Sequence, residues 1–113
     1  MRVIVCGSRK WSNAAAVYGR ITELPSDTTI IEGNASGADR LAAQAARALG
    51  MSWESYSPAW IIHGRRAGVI RNQQMLDLGA DLVLAFWDGR SRGTADMIRR
   101  AKAAGVPVEV HTP

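Results

Sequence analysis

The chain has 113 residues, 47% hydrophobic and 21% charged, a composition ordinary for one globular domain that buries roughly two-thirds of its unfolded surface. No run approaches the roughly 18 apolar residues of a membrane helix, and Val3–Cys6 is too short for a signal-peptide core, so a cytoplasmic protein is expected. The lone cysteine, Cys6, excludes an intramolecular disulfide and a cysteine-built metal site, and a net charge of +4 favours anionic partners.

Strands and helices are predicted to alternate along the whole chain. A first strand, Arg2–Cys6, runs into the turn Gly7-Ser-Arg-Lys-Trp11 and a helix of about Ser12–Leu24, with Ser12 or Asn13 as N-cap and Pro25 beyond its end. A second strand, Thr28–Ile31, leads through Glu32-Gly-Asn-Ala-Ser-Gly-Ala-Asp39 into a helix of about Gly37–Leu49. Leu41, Ala42, Ala45, Ala46 and Leu49 make one face of that helix, and Gly50 closes it. A third strand, Ser52–Tyr56, precedes a loop with Pro58, Trp60 and His63; a helix from about Arg65 to Leu78 then ends on Gly79. The apolar run Leu82–Phe86 is the fourth strand, followed by Asp88-Gly-Arg-Ser-Arg-Gly-Thr94, a helix over Thr94–Ala104 and a last strand, Val108–Val110.

This alternation argues for an α/β, Rossmann-like three-layer domain over residues 1–113, with a parallel sheet of about five strands in the order 3-2-1-4-5. Parallel strands share a direction, so the three glycine- and hydroxyl-rich turns fall along the carboxyl edge. The strand order reverses between the first and fourth strands, which sets Gly7–Trp11 beside Trp87–Thr94, the usual place for a ligand crevice.

A strand-to-helix turn of this kind aims free backbone N–H groups and the positive end of a helix dipole at one point. Gly7, Gly33, Gly37, Gly89 and Gly93 allow close approach, and Ser8, Ser36, Ser91 and Thr94 offer hydroxyls. Seven basic residues, Arg9, Lys10, Arg65, Arg66, Arg71, Arg90 and Arg92, map to the same edge and set up a local field for an anionic small molecule. No basic and aromatic stripe runs along a helix, so a pocket is favoured over a nucleic-acid groove.

Arg71 offers a planar fork for phosphate or carboxylate, and Asn72 a group able to read a base or sugar edge. Asp39, Asp96 and Glu32 read either as caps and dipole partners or as groups that hold ribose hydroxyls or polarise a water. Asp88 belongs to the turn itself. Of the four tryptophans, Trp11, Trp60 and Trp87 stand in or beside the edge loops, where a ring can stack on a base or simply pack down. His63 and His111 have no companions, so no metal is expected, and no cofactor is called for.

Together, Gly7–Trp11, Glu32–Asp39, Ile70-Arg-Asn72 and Ala85-Phe-Trp-Asp-Gly-Arg-Ser-Arg-Gly-Thr94 resemble the YspA/YpsA-related branch of the SLOG superfamily, named for the Smf/DprA and LOG proteins. The resemblance spans nearly the whole chain and implies a Rossmann-like fold that binds nucleotides or nucleotide-derived ligands, sometimes hydrolysing an N-glycosidic bond. Gly93-Thr94 fits the G-T pair of the LOG motif P-G-G-x-G-T-x-x-E, and Arg71 falls where those enzymes keep an arginine. The final Glu of that motif falls on Met97, with Asp96 one residue earlier, and the proline and tandem glycines are absent.

The first expectation is therefore binding of a nucleotide-derived anion, for sensing, sequestration or processing. The alternatives are a phosphoribohydrolase acting on nucleoside 5′-monophosphates, with Arg71 and Asp96 as its catalytic pair, and a DprA-type DNA-binding accessory protein. Exposed tryptophans at 53 and 60, and the alanine-rich stretch Ala42–Ala48, suggest contact surfaces. With the resemblance, they lead to an expected homodimer or dimer of dimers, with the Arg71 helix near the interface.

Overall fold

A computed structural model of the chain describes residues 1–113. Its elements in chain order are β1 (Arg2–Gly7), α1 (Ala14–Thr22), β2 (Thr29–Glu32), α2 (Ala38–Ala48), β3 (Ser52–Ser55), α3 (Trp60–His63), a 3-10 turn (Gly64–Arg66), α4 (Ala67–Asp77), β4 (Leu82–Phe86), α5 (Arg92–Ala103) and β5 (Val108–His111). All strand pairs are parallel and the sheet order is β3-β2-β1-β4-β5, as the alternation predicts.

The pleat explains why β1 and β4 are nearly continuous apolar runs and why Ile30 and Ile31 stand together in β2. Successive side chains point to opposite faces, and helices cover both faces. Val3, Val5, Ile30, Leu84 and Phe86 pack with Val17 and Ile21 of α1 and the alanines of α2. Ile4, Cys6, Ile31, Val83 and Ala85 pack on the other side with Met75 and Leu76 of α4 and Met97, Ile98 and Ala101 of α5. Each large apolar side chain so buried contributes ~1.5–3 kcal/mol.

The alanine face of α2 is not a free contact surface. Ala38, Ala42, Ala45 and Ala46 are fully buried against α1 and the sheet, where small side chains let the helix sit close. No helix is long and apolar enough to cross a membrane.

Most element ends lie within one or two residues of those predicted. Asn13 is the N-cap of α1, its side chain accepting from the Ala16 N–H at 3.1 Å. α5 starts at Arg92 rather than Thr94, because Ser91 caps it and accepts from the Thr94 N–H. The larger difference is α3, one helical turn where the sequence suggests only loop. It leaves Ile61 and Ile62 exposed and ends at Gly64 with a positive φ of 56°.

Candidate functional site

The strand reversal between β1 and β4 brings the first and last turns together, and Ser8 ties them to the second. The Ser8 N–H donates to the Phe86 carbonyl at 3.0 Å, and its Oγ accepts from the Asp88 N–H at 3.0 Å. Its carbonyl accepts from the Trp11 N–H at 3.1 Å and the Ala38 N–H at 3.4 Å. Gly37 closes this junction. Its φ of 75° suits glycine, and a Cβ there would meet the Arg9 carbonyl carbon at 2.6 Å.

The Asp88–Thr94 turn is organised from within. Asp88 Oδ1 accepts from the N–H groups of Arg90 (2.8 Å) and Ser91 (2.9 Å), and these two donors hold its carboxyl below the ordinary range. Ser91 Oγ and Thr94 Oγ1 bond each other at 3.0 Å. The N–H groups of Arg92 and Gly93 at the head of α5, and of Arg9 and Lys10 after β1, have no acceptor in the chain. Free donors therefore sit on both sides of the strand reversal.

Between these turns and α4 lies a cleft of about 730 Å³. Its lining joins Gly7, Ser8, Arg9 and Lys10 to Asp88, Arg90, Ser91, Arg92, Gly93 and Thr94. Ala35 and Asp39 come from the second turn, and Trp60, Arg65, Gly68, Val69, Arg71 and Asn72 from the α3–α4 side, with Cys6 and Met75 completing it. Six lining residues are basic (Arg9, Lys10, Arg65, Arg71, Arg90, Arg92) and two are acidic (Asp39, Asp88). Of the chain's fourteen basic and ten acidic residues, eight of each remain elsewhere, so the whole excess of +4 resides in the cleft.

None of the six cleft cations is ion-paired to a carboxylate. Arg2, Arg20, Arg99 and Arg100, which are, all lie outside the cleft. Arg66, expected with the others, faces a neighbouring shallow depression beside Gln73, Asp77 and Arg100.

Arg71 is half-buried and held by one edge. Its Nη1 donates to the carbonyls of Gly33 and Tyr56, and its Nε donates to Asn72 Oδ1 at 3.2 Å, which leaves Nη2 without a partner in the chain. Gly33 leaves room for this guanidinium, which would have to shift to make way for a Cβ there. Asp39, almost wholly buried, accepts through Oδ2 from the N–H groups of Gly33 (3.0 Å) and Ala35 (3.3 Å), while Oδ1 makes no bond.

Burial dominates the electrostatics of both groups. It pushes the Asp39 carboxyl up to about 7, against the two backbone donors and Arg71, and it lowers the Arg71 guanidinium, against Asp39 and Glu32. Burial also pushes the Cys6 thiol far up, so this floor residue is an inert thiol.

Asn72 lines the cleft, but its amide is engaged inward. Nδ2 donates to the Gly93 carbonyl at 3.2 Å and to Asp96 Oδ2 at 3.0 Å, and Oδ1 accepts from Arg71. Asp96 lies outside the lining, buried, with Arg99 at 2.8 Å and Arg100 at 2.9 Å on its carboxylate. The other sequence candidates outside the lining serve the frame around it. Trp11 is buried against Phe86, and its indole N–H donates to the Asn13 carbonyl at 3.1 Å. The Trp87 indole donates to the Ser91 carbonyl at 3.0 Å. Gly33, Ser36 and Gly37 shape the second turn, Gly89 the third, and Glu32 accepts from Ser55 Oγ and the Asn34 N–H.

Trp60, one of the three tryptophans expected at the edge loops, lines the cleft, as does Ala35 of the second turn; Cys6, Val69 and Met75 line it without having been expected there. Cys6 and Met75 follow from the sheet and helix periods, which put them at the carboxyl end of β1 and on the inner face of α4. Position in the chain set Trp60 near this edge, but nothing distinguished it from Trp11 and Trp87 as the one that faces the cleft, because it sits in a turn without a period.

The chain is similar to the Gene 61 protein of Mycobacterium phage D29, 37% identical over 118 residues that cover 95% of this chain and 93% of that protein. Its fold is that of DNA processing protein A (DprA) from Streptococcus pneumoniae, with a TM-score of 0.83 and 21% identity over 96% of this chain. It spans only about half, 49%, of the DprA chain. The family model of the YspA, cpYpsA-related SLOG family matches residues 1–63, which include the first two turns and Trp60, with Arg71 and the Asp88–Thr94 turn beyond. The chain belongs to the YspA, cpYpsA-related SLOG family.

Proposed function

We propose that the cleft binds a nucleotide or nucleotide-derived anion, for sensing, sequestration or processing. One observation carries the reading: all of the chain's excess positive charge lines one cleft, and none of those cations has a carboxylate partner. Like charges gathered without counter-ions repel one another, and a bound anion relieves that repulsion. The four free N–H groups of Arg9, Lys10, Arg92 and Gly93 add directional donors suited to phosphate oxygens. The volume falls within the ~300–1,000 Å³ usual for small-molecule sites.

Native mass spectrometry of the purified chain for co-purifying nucleotides, with calorimetry against inorganic phosphate and nucleoside monophosphates, tests this. One-site binding that weakens with salt is expected. Absence of any anion binding at millimolar concentration refutes it.

A second reading, phosphoribohydrolysis, is favoured by Asp39. A cleft carboxyl that keeps its proton up to about pH 7 is able to protonate a departing base. Release of free base from nucleoside monophosphates, lost in Asp39→Asn, would establish it. Loss in Asp96→Asn alone would assign the step to Asp96 instead. No release leaves binding as the function.

A further inference from the structure

The anion-binding reading leaves one part of the cleft unused. Its lining is mostly polar, and Cys6 and Met75 are buried in its floor. Trp60 is the large apolar side chain that remains open there, 49% exposed. The rim of its ring lies over Gly68, with indole Cη2 3.9 Å from where a Cβ would stand. Trp11 and Trp87 have partners for their indole N–H groups, and Trp11 packs on Phe86; Trp60 has neither a hydrogen-bond acceptor nor an aromatic neighbour. Trp53 is also exposed, but it stands on β3 outside the cleft.

An indole left half in water inside a basic cleft is a flat surface awaiting a flat partner. We infer that Trp60 is a stacking platform for a nucleobase, so that the cleft takes a nucleoside phosphate in preference to a sugar phosphate or phosphate alone. This rests on the anion-binding reading and adds a base to the anion. The base covers the indole face above Gly68, and the phosphate meets the free donors at the strand reversal. Arg65 and Val69 continue the Trp60 wall, and the nearby amide of Asn72 is already engaged. Recognition there relies on the π-face common to all bases and not on a hydrogen-bonding edge.

The test compares adenosine 5′-monophosphate with ribose 5-phosphate by calorimetry on the full chain, following tryptophan fluorescence in parallel. The nucleotide is expected to bind at least ~10-fold more tightly, within the range for stacking of one base on an aromatic ring. Trp60→Ala should abolish that advantage and leave ribose 5-phosphate binding and the urea midpoint unchanged, because the ring is not part of the core. Trp60→Phe should retain most of the advantage and lose the ligand-induced quenching of indole emission. Equal binding of the two ligands to the native chain overturns the platform while the anion-binding reading stands. A Trp60→Ala variant that weakens both ligands alike also overturns it, and binding of neither ligand removes both readings.

Discussion

Replacing Arg71 with alanine separates a residue that holds a ligand from one that only braces a turn. Its Nη1 and Nε are engaged by Gly33, Tyr56 and Asn72, and only Nη2 is open to a ligand oxygen. Losing one charge-assisted hydrogen bond should cost ~1.5–3 kcal/mol of binding, a fall in affinity of roughly 10- to 150-fold. The effect on folding should be smaller, about 1 kcal/mol or less, because the carbonyls released beside an open cleft regain water and the desolvation of a half-buried guanidinium is removed. Arg71→Lys should fall between, since one ammonium cannot hold Gly33 and reach the ligand at once. Calorimetry with a nucleoside monophosphate and urea unfolding of the same samples give the two numbers. Unchanged affinity with a lowered urea midpoint would refute the assignment and leave Arg71 as a brace for the Gly33 turn.

Four further outcomes are expected. Affinity for a phosphate dianion should fall between pH 7 and 9 as Asp39 ionises beside it, and Asp39→Asn should flatten the profile. Arg71, Glu32 and Cys6 are the other titratable groups around Asp39, and the ligand's second phosphate proton, with a pKa near ~6, is already gone in this window. Because the folded value of about 7 exceeds the ordinary 3.8, Asp39 contributes stability that is lost as pH rises between them, which the difference in urea midpoint between the native chain and Asp39→Asn at pH 4 to 7 should reveal, Glu54, Glu109 and Asp88 acting alike in both. Asp96→Asn should lower stability by ~1.5–3 kcal/mol through its bonds to Arg99, Arg100 and Asn72, yet change ligand affinity less than threefold. Self-association through α3 should give a light-scattering mass above one chain that returns to one chain in an Ile61→Ser/Ile62→Ser double variant; a native mass of one chain at all concentrations would refute it.

The frame was legible because its signals are periodic. Apolar runs ending in glycine- and hydroxyl-rich turns gave the strands, and helical spacing gave α2, α4 and α5, so the edge holding Ser8, Asp39, Arg71 and Ser91 could be placed. What stayed hidden depends on side-chain direction in irregular backbone. Nothing in the sequence marks Trp60 as facing the cleft while Trp11 and Trp87 pack away from it. Asn72 shows a second limit: its residue type suggested readout, but its atoms are engaged by Arg71, Gly93 and Asp96. Asp96 did carry a readable signal. Arginines three and four residues later, at 99 and 100, are the spacing of intrahelical ion pairs, and those pairs hold its carboxylate outside the cleft.

The bonding of Ser8 has a consequence for how such a protein diversifies. Three of its four contacts join backbone to backbone, and the fourth uses its own hydroxyl, so the alignment of all three turns needs none of the side chains at 9, 10, 90 or 92. Those four positions are solvent-facing and can be exchanged without disturbing the scaffold that presents them. The charge of the cleft rim can then be changed at these positions with no new architecture, provided Ser8 and Gly37 are kept. Grafting acidic or neutral residues at positions 9, 10, 90 and 92 should therefore yield folded chains of altered charge preference, whereas Ser8→Ala should loosen the junction before any ligand is considered.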